Sequence, residues 1–218
     1  MLKVKKQLFS HQEYLYWSDF YYEKYGWFTI PRTGKGHIFL GNPKIENGFM
    51  DFSEVKRHEL PPTYEKYEDW RDYYSKIAKS GYLTGIAVNC KRSNMIQVDF
   101  DNMDFYRFWQ SNFKINTLTT ATKRGVHCLF LMKTPRHLSF HSEFYSLSSQ
   151  GSATLPPSRY YRYGDSSYVY EYDPFETFNY KWLNSCDILE VDWHELNLIP
   201  AEIYDQIGKP SWDNSITS

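Results

Sequence analysis

The sequence is poor in cysteine, in net charge and in long apolar runs, and each shortage excludes a class of protein. Its three cysteines, Cys90, Cys128 and Cys186, are odd in number and widely spaced, and no CxxC pair occurs. This usage argues against a disulfide framework and against a zinc ribbon. The 25 Lys and Arg residues balance 26 Asp and Glu residues, so the charge gives no global signal for nucleic-acid binding.

No segment has the length of apolar sequence needed to span a bilayer, and the basic start at residues 1–6 lacks the apolar run of a signal peptide. The cysteine usage fits a reducing, intracellular setting, so we expect a cytoplasmic protein, and a membrane is not among its expected partners. Aromatic residues are the compositional excess, with 20 Tyr, 15 Phe and 7 Trp. Such rings can stack on nucleic-acid bases, but packing in and below the surface is their more common use.

Residue periodicity predicts an α+β fold in which helices and strands are interleaved. Helices are predicted over 11–25, with Gly26 as the stop, over 64–79, and from a cap at Asn102 through Trp109. Strands are predicted over 27–31, 84–89, 95–101, 118–122 and 126–132. The last two form an antiparallel pair, and residues 42–62 have no regular pattern.

Two carboxylates are spaced for one face of a strand. Asp99 and Asp101 alternate with the apolar Val98 and Phe100, and alternate side chains of a strand point the same way. Carboxylates so placed repel each other unless a cation lies between them, and Mg²⁺ is bound in proteins by one or two carboxylates plus substrate phosphates. The alternative is a solvated strand edge or turn.

The order of these segments resembles the archaeo-eukaryotic primase superfamily, specifically the bifunctional primase–polymerase domain of plasmids, phages and mobile elements. The resemblance covers residues 12–172. Its specificity comes from the order and spacing of the segments together. Thr120 to His127 matches a T-x-T-x-x-G-x-H pattern in full and follows the Asp99-Phe100-Asp101 strand after a helix. The other matching segments are Tyr25 to Pro31, Leu83 to Val88, Leu155 to Arg159 and Gly164 to Tyr168.

The resemblance implies a primase–polymerase core with a mixed or antiparallel central sheet flanked by helices. It implies template-directed nucleotidyl transfer in which Asp99 and Asp101 hold Mg²⁺ or Mn²⁺ and His127 donates to the triphosphate. Lys123, Arg124 and Gly125 would bind the nucleotide beside His127, although Lys123 and Arg124 could equally form an exposed hairpin turn.

A further nucleotide-facing group is implied at Ser158, Arg159 and Arg162, after the Pro-Pro-Ser segment. A rigid turn made by the two prolines is the alternative role of that segment. The family also supplies a third acidic metal ligand, usually 13 positions before this serine. That position holds Tyr145 here, and a two-residue insertion would put Glu143 on the same strand face instead.

We expect residues 1–180 to form the catalytic domain and 181–218 a C-terminal extension, flexible from about residue 210. The expected partners are single-stranded DNA, nucleoside triphosphates and, by family analogy only, a helicase. Without a third acid, the chain could instead be an impaired relative that binds single-stranded DNA or nucleotides as a replication accessory. A metal-dependent nuclease is disfavoured because it does not explain the Gly-x-His spacing.

Overall fold

The computed structural model describes residues 9–34, 38–47, 49–58, 64–159, 169–171, 179–198 and 209–210. Over these residues the chain is α+β, with helices and mainly antiparallel sheets. It divides into two compact units, residues 1–88 with 154–180 and residues 89–153 with 181–218. Among the described residues, no helix is both long and apolar enough to cross a membrane.

The described elements follow one another in this order: α1 (His11–Tyr25), β1 (Thr29–Arg32), β2 (Lys44–Glu46), β3 (Phe49–Asp51), α2 (Tyr67–Ser80), β4 (Gly85–Asn89), β5 (Met95–Phe100), α3 (Met103–Phe113), β6 (Thr119–Ala121), β7 (Val126–Met132), β8 (Arg136–His137), β9 (Ser139–His141), β10 (Ser146–Ser148), β11 (Ser152–Leu155), β12 (Val169–Glu171), β13 (Lys181–Trp182), β14 (Leu189–Val191), a 3-10 helix (Trp193–Leu196) and β15 (Lys209–Pro210).

In the first unit, α1 has defined signals at both ends. Ser10 and Glu13 form a reciprocal capping box at its start, and Gly26 ends it in the left-handed conformation at φ 70°. Helix α2 packs beside α1, where the Arg71 guanidinium donates to both carboxylate oxygens of Asp19 at 2.5 and 2.8 Å. Strand β1 pairs antiparallel with β4, and β12, β3 and β2 form a separate small sheet.

The second unit is built on a seven-stranded sheet. Its strand order is β13-β6-β7-β5-β10-β9, and β14 adds to β7 as a parallel neighbour, so the sheet is mixed. One face of the two central strands is apolar and buried: Ile96, Val98 and Phe100 of β5, and Val126, Cys128, Phe130 and Met132 of β7. Helix α3 packs on this face through the buried Trp109, whose ring nitrogen donates to the carbonyl of Leu196.

The α+β prediction is confirmed, and most predicted elements are present within a few residues. Helix α1 and strand β7 have the predicted bounds, whereas α3 extends four residues beyond Trp109 to Phe113. The segment predicted as irregular contains the short β2–β3 hairpin. The residues after Pro210 lie outside the described residues, and the assignment of residues 1–180 to one catalytic domain stays a prediction.

Candidate functional site

Asp99 and His127 are direct neighbours on adjacent strands of the second unit. Strands β5 and β7 are antiparallel, with Asp99 paired to His127. The imidazole Nε2 lies 3.3 Å from the Asp99 Oδ1. The His127 side chain is 10% exposed and that of Asp99 is 32% exposed, so the carboxylate is the more accessible of the two groups. The structure thus brings together two residues that are 28 positions apart in sequence.

The pair belongs to a polar row that crosses four strands. Ser146 of β10 lies opposite Asp99, and Thr120 of β6 lies opposite His127. Because directly paired residues project from the same face of a sheet, the side chains of Ser146, Asp99, His127 and Thr120 share one face. We call these four residues the polar row. The opposite face of these strands is the apolar face that α3 covers, so the polar row lies on the other side of the sheet from that core.

Thr120 is a member of the polar row whose side chain lacks a hydrogen-bond partner among the described residues. Its side chain is fully buried, and its hydroxyl has no hydrogen-bond partner there. A buried hydroxyl without a partner costs about 1–3 kcal/mol. Such a group beside the Asp99–His127 pair is the kind of polar atom that a bound ligand or an ordered water would satisfy.

Asp101 lies just past the end of β5, at the same end of the sheet as the turn between β6 and β7. Its carboxylate is 3.7 Å from the Nε of Arg124, and both side chains are more than 60% exposed. An ion pair at this separation and exposure is worth at most about 1 kcal/mol. Both groups are therefore available to exchange this contact for a ligand, the carboxylate for a cation and the guanidinium for a phosphate.

Gly125 joins the basic turn to the acidic strand end through close backbone packing. A Cβ at this position would lie 1.8 Å from the Phe100 carbonyl oxygen and 3.1 Å from the Asp101 Cα. The turn is closed by Thr122, whose hydroxyl accepts from the Gly125 amide while its own amide donates to the Gly125 carbonyl. Glycine is required here because the turn presses directly on the backbone that carries Asp101.

The donor set suits a hard divalent cation that keeps much of its shell for other ligands. Among the described residues, no three His, Cys, Asp or Glu side chains are close enough together to hold a metal ion. Mg²⁺ does not need such a group, because it is usually bound by one or two carboxylates with waters and substrate phosphates. Asp99 and Asp101, with a hydroxyl on the same strand face and basic residues in the adjoining turn, fit that requirement.

The structure does not place Glu143 in the polar row. Glu143 is exposed and lies in the turn between β9 and β10, where the Ser142 amide donates to the Tyr145 carbonyl. Tyr145 points into the apolar core and packs against Phe100 at a ring separation of 5.8 Å. The residue that β10 presents to Asp99 is Ser146, which sequence reasoning missed because β10 itself was not predicted.

The other predicted nucleotide-binding group lies in the first unit. The Ser158 hydroxyl is buried, donates to the Ile86 carbonyl and accepts from the Ile86 amide, both at 2.8 Å. The amide of Arg159 donates to the Thr84 carbonyl. Arg162 lies outside the described residues. Both hydrogen bonds of the Ser158 hydroxyl go to the backbone of β4, so this serine holds its segment against that strand.

Comparison with known proteins identifies no family for this chain. No family model matches the chain, and no curated protein matches it significantly.

Proposed function

We propose that the chain is a DNA primase–polymerase that carries out metal-dependent nucleotidyl transfer on a single-stranded DNA template. The observation that carries the proposal is the Asp99–His127 contact, 3.3 Å between the carboxylate and the imidazole. Two residues after Asp99, just past the end of the same strand, the Asp101 carboxylate faces Arg124 of the basic turn. Nucleotidyl transfer needs two halves of a site, one for the cation and one for the phosphates. Carboxylates bind the cation, and an imidazole with two basic side chains binds the phosphates. The Asp99-Phe100-Asp101 and Thr120 to His127 motifs, which support membership of the primase superfamily, supply both halves.

In this proposal Asp99 and Asp101 orient a Mg²⁺ or Mn²⁺ site, with Asp99 held in place by its neighbours in the sheet. When bound, the divalent ions would stabilise the attacking and leaving oxygens of an in-line displacement at the nucleotide α-phosphate. His127 would donate a hydrogen bond to the triphosphate from Nε2, the ring nitrogen that contacts Asp99 in this structure. Lys123 contributes a point charge and Arg124 a planar fork to its phosphates.

The template is proposed to be single-stranded DNA, bound through phosphate contacts and base stacking, so binding should weaken steeply as salt rises. A helicase partner, fused or separate, is proposed by analogy alone.

One observation favours a second candidate, a catalytically impaired relative that binds single-stranded DNA or nucleotides. No third acidic side chain joins Asp99 and Asp101 among the described residues. A site with two protein carboxylates holds metal more weakly than one with three, because less negative charge faces the ion. Such an accessory protein would still bind single-stranded DNA or nucleotides but would not catalyse nucleotidyl transfer.

A primer-synthesis assay on single-stranded template separates the two candidates. Wild-type protein with Mn²⁺ or Mg²⁺ and nucleoside triphosphates is compared with Asp99→Asn and Asp101→Asn. The matched control is Asp104→Asn, which changes an exposed aspartate of the same unit that pairs with Arg107 on α3.

We expect extended product from the wild type and the control, and a loss of at least about 100-fold in the two site variants. Absence of product from the wild type, with DNA binding retained, would favour the accessory. Equal product from all four proteins would show that these aspartates do not hold the reacting metal.

A further inference from the structure

Strand β10 places a hydroxyl beside Asp99 on the side opposite His127. The register pairs Ser146 with Asp99, so the two side chains leave the same face of the sheet. Directly opposed residues of an antiparallel pair have Cβ atoms about 4.5–5.5 Å apart. Ser146 is half-buried, and a ligand in contact with the Asp99 carboxylate would lie within reach of its hydroxyl.

The position of Ser146 is fixed by packing on both sides of it in sequence. Tyr145 and Leu147 are buried in the core on the apolar face of the sheet. The Tyr145 ring stacks on Phe105 at 5.4 Å. A shift of β10 by one residue would expel both core side chains, so the pleat holds Ser146 on the polar face.

We propose that Ser146 is a further oxygen ligand, direct or through one water, of the divalent ion that Asp99 holds. This inference rests on the proposed function, since it concerns the same metal. Mg²⁺ and Mn²⁺ accept hydroxyl and water oxygens in a six-coordinate shell. A serine in this place supplies an oxygen without supplying charge.

The other end of the polar row also has a hydroxyl, which no described side chain satisfies. The Thr120 hydroxyl, two strands from Asp99 on the same face, is fully buried with no partner among the described residues. The polar row therefore has a hydroxyl at each end, and one of them is left to be satisfied by something other than the described side chains.

The charge of the site determines how tightly the metal binds without the nucleotide. With two carboxylates and one neutral oxygen, the chain alone holds the ion weakly. The phosphates of the nucleotide then supply much of the missing charge, so we expect the metal and the nucleotide to bind together far more tightly than either binds alone. By this reasoning Ser146 makes metal loading depend on the nucleotide.

The test measures Mn²⁺ affinity by electron paramagnetic resonance, without nucleotide and with a non-hydrolysable nucleoside triphosphate. Ser146→Asp adds a carboxylate next to Asp99 and should tighten Mn²⁺ binding without nucleotide by at least about tenfold. Ser146→Ala should weaken binding by a few-fold, and Ser146→Thr, which keeps the hydroxyl, should bind like the wild type. The control is His141→Asp, which places the same charge opposite Ser146 on β9, one strand farther from Asp99.

The inference is overturned if Ser146→Asp and His141→Asp bind Mn²⁺ equally well, or if Ser146→Ala binds like the wild type. Thermal unfolding establishes that each variant is folded, and the alanine and threonine variants decide the matter if the aspartate variant does not fold. Failure of the proposed function has a different signature. In that case wild-type protein binds no Mn²⁺ with or without nucleotide, and Asp99→Asn changes nothing.

Discussion

Replacement of Gly125 by alanine should damage the candidate site more than any other single added methyl group on this sheet. The new Cβ would lie 1.8 Å from the carbonyl oxygen of Phe100, 2.8 Å from its carbonyl carbon and 3.1 Å from the Asp101 Cα. Real Cβ atoms essentially never approach other heavy atoms within 3.0 Å, so the turn and the strand end must separate by more than about 1 Å. The obstacle is backbone on both sides, and no flexible side chain can yield.

Two magnitudes follow from that displacement. Overpacking of this kind costs about 1–3 kcal/mol of folding free energy. The larger effect falls on the site, because the strand end carries Asp101 and the turn carries Arg124. A displacement of about 1 Å in catalytic positioning costs about 100-fold in rate. We therefore expect Gly125→Ala to fold, to unfold at a lower temperature, and to lose primer synthesis far beyond what its lost stability explains.

The assay compares primer synthesis and Mn²⁺ affinity of Gly125→Ala at a temperature at which the variant is fully folded. The matched control is Gly151→Ala in the same unit, where the nearest atom to an added Cβ is the Ser148 hydroxyl at an ordinary 3.4 Å. The control should resemble the wild type. If Gly125→Ala also retains wild-type stability, Mn²⁺ affinity and primer synthesis, the prediction is wrong. The close packing between the turn and the strand end is then not required for function.

Three further predictions concern charge and burial. The hydrogen bonds from Arg71 hold the pKa of Asp19 below its usual range, so their stabilisation is present above about pH 4 and is lost as pH falls through the lowered pKa. Because about a third of each side chain is exposed, Asp19→Asn should cost only about 1 kcal/mol in urea unfolding at pH 7 and less near pH 3. Arg124→Gln should tighten Mn²⁺ binding by up to about fivefold, because it frees Asp101 of its ion pair, and should weaken nucleotide binding. Ser158→Ala should cost about 1–3 kcal/mol of folding free energy, because it leaves two buried backbone groups unpaired, and should leave Mn²⁺ affinity unchanged.

Each of these has an outcome that would contradict it. Equal losses from Asp19→Asn at both pH values would mean that its charge is irrelevant to stability. Arg107→Gln, which breaks another exposed Arg–Asp pair of the second unit, is the control for Arg124→Gln and should leave both affinities unchanged. A Ser158→Ala protein of wild-type stability with weakened nucleotide binding would assign that serine to the nucleotide after all.

The elements that sequence predicted best are those with local signals at their ends. Helix α1 has Ser10 and Glu13 at one end and Gly26 at the other, so its bounds could be read from the sequence. Helix α3 was predicted too short because no glycine marks its end. It closes instead with Lys114 in the left-handed conformation, which is uncommon for lysine. Phe108 is 59% exposed although it precedes Trp109, which is buried, because only one side of α3 packs on the sheet.

The candidate site was predictable where alternation along single strands was enough. Asp99 alternates with apolar residues along its strand, so it could be assigned to the polar face from the sequence. His127 begins an otherwise apolar strand and was identified through the Gly-x-His spacing instead. Their contact depends on the β5–β7 register, and these two strands are separated in sequence by α3 and β6. Ser146 could not be found in this way, because β10 is three residues long and is positioned by Tyr145 and Leu147 through contacts distant in sequence.

Gly125 and Ser158 lie in two of the segments on which the resemblance to primases rests, and in this structure both make close backbone contacts. Gly125 lies against Phe100, and Ser158 bonds both backbone groups of Ile86 and fills the space that a Cβ at Gly85 would need. Residues of a family motif can therefore serve packing as well as chemistry. Asp99 is different, because its half-exposed carboxylate stabilises no part of the apolar core. A motif residue whose side chain lies outside the apolar core is the better guide to function, and for that reason the proposal depends on Asp99 and its two neighbours in the sheet rather than on the number of matching segments.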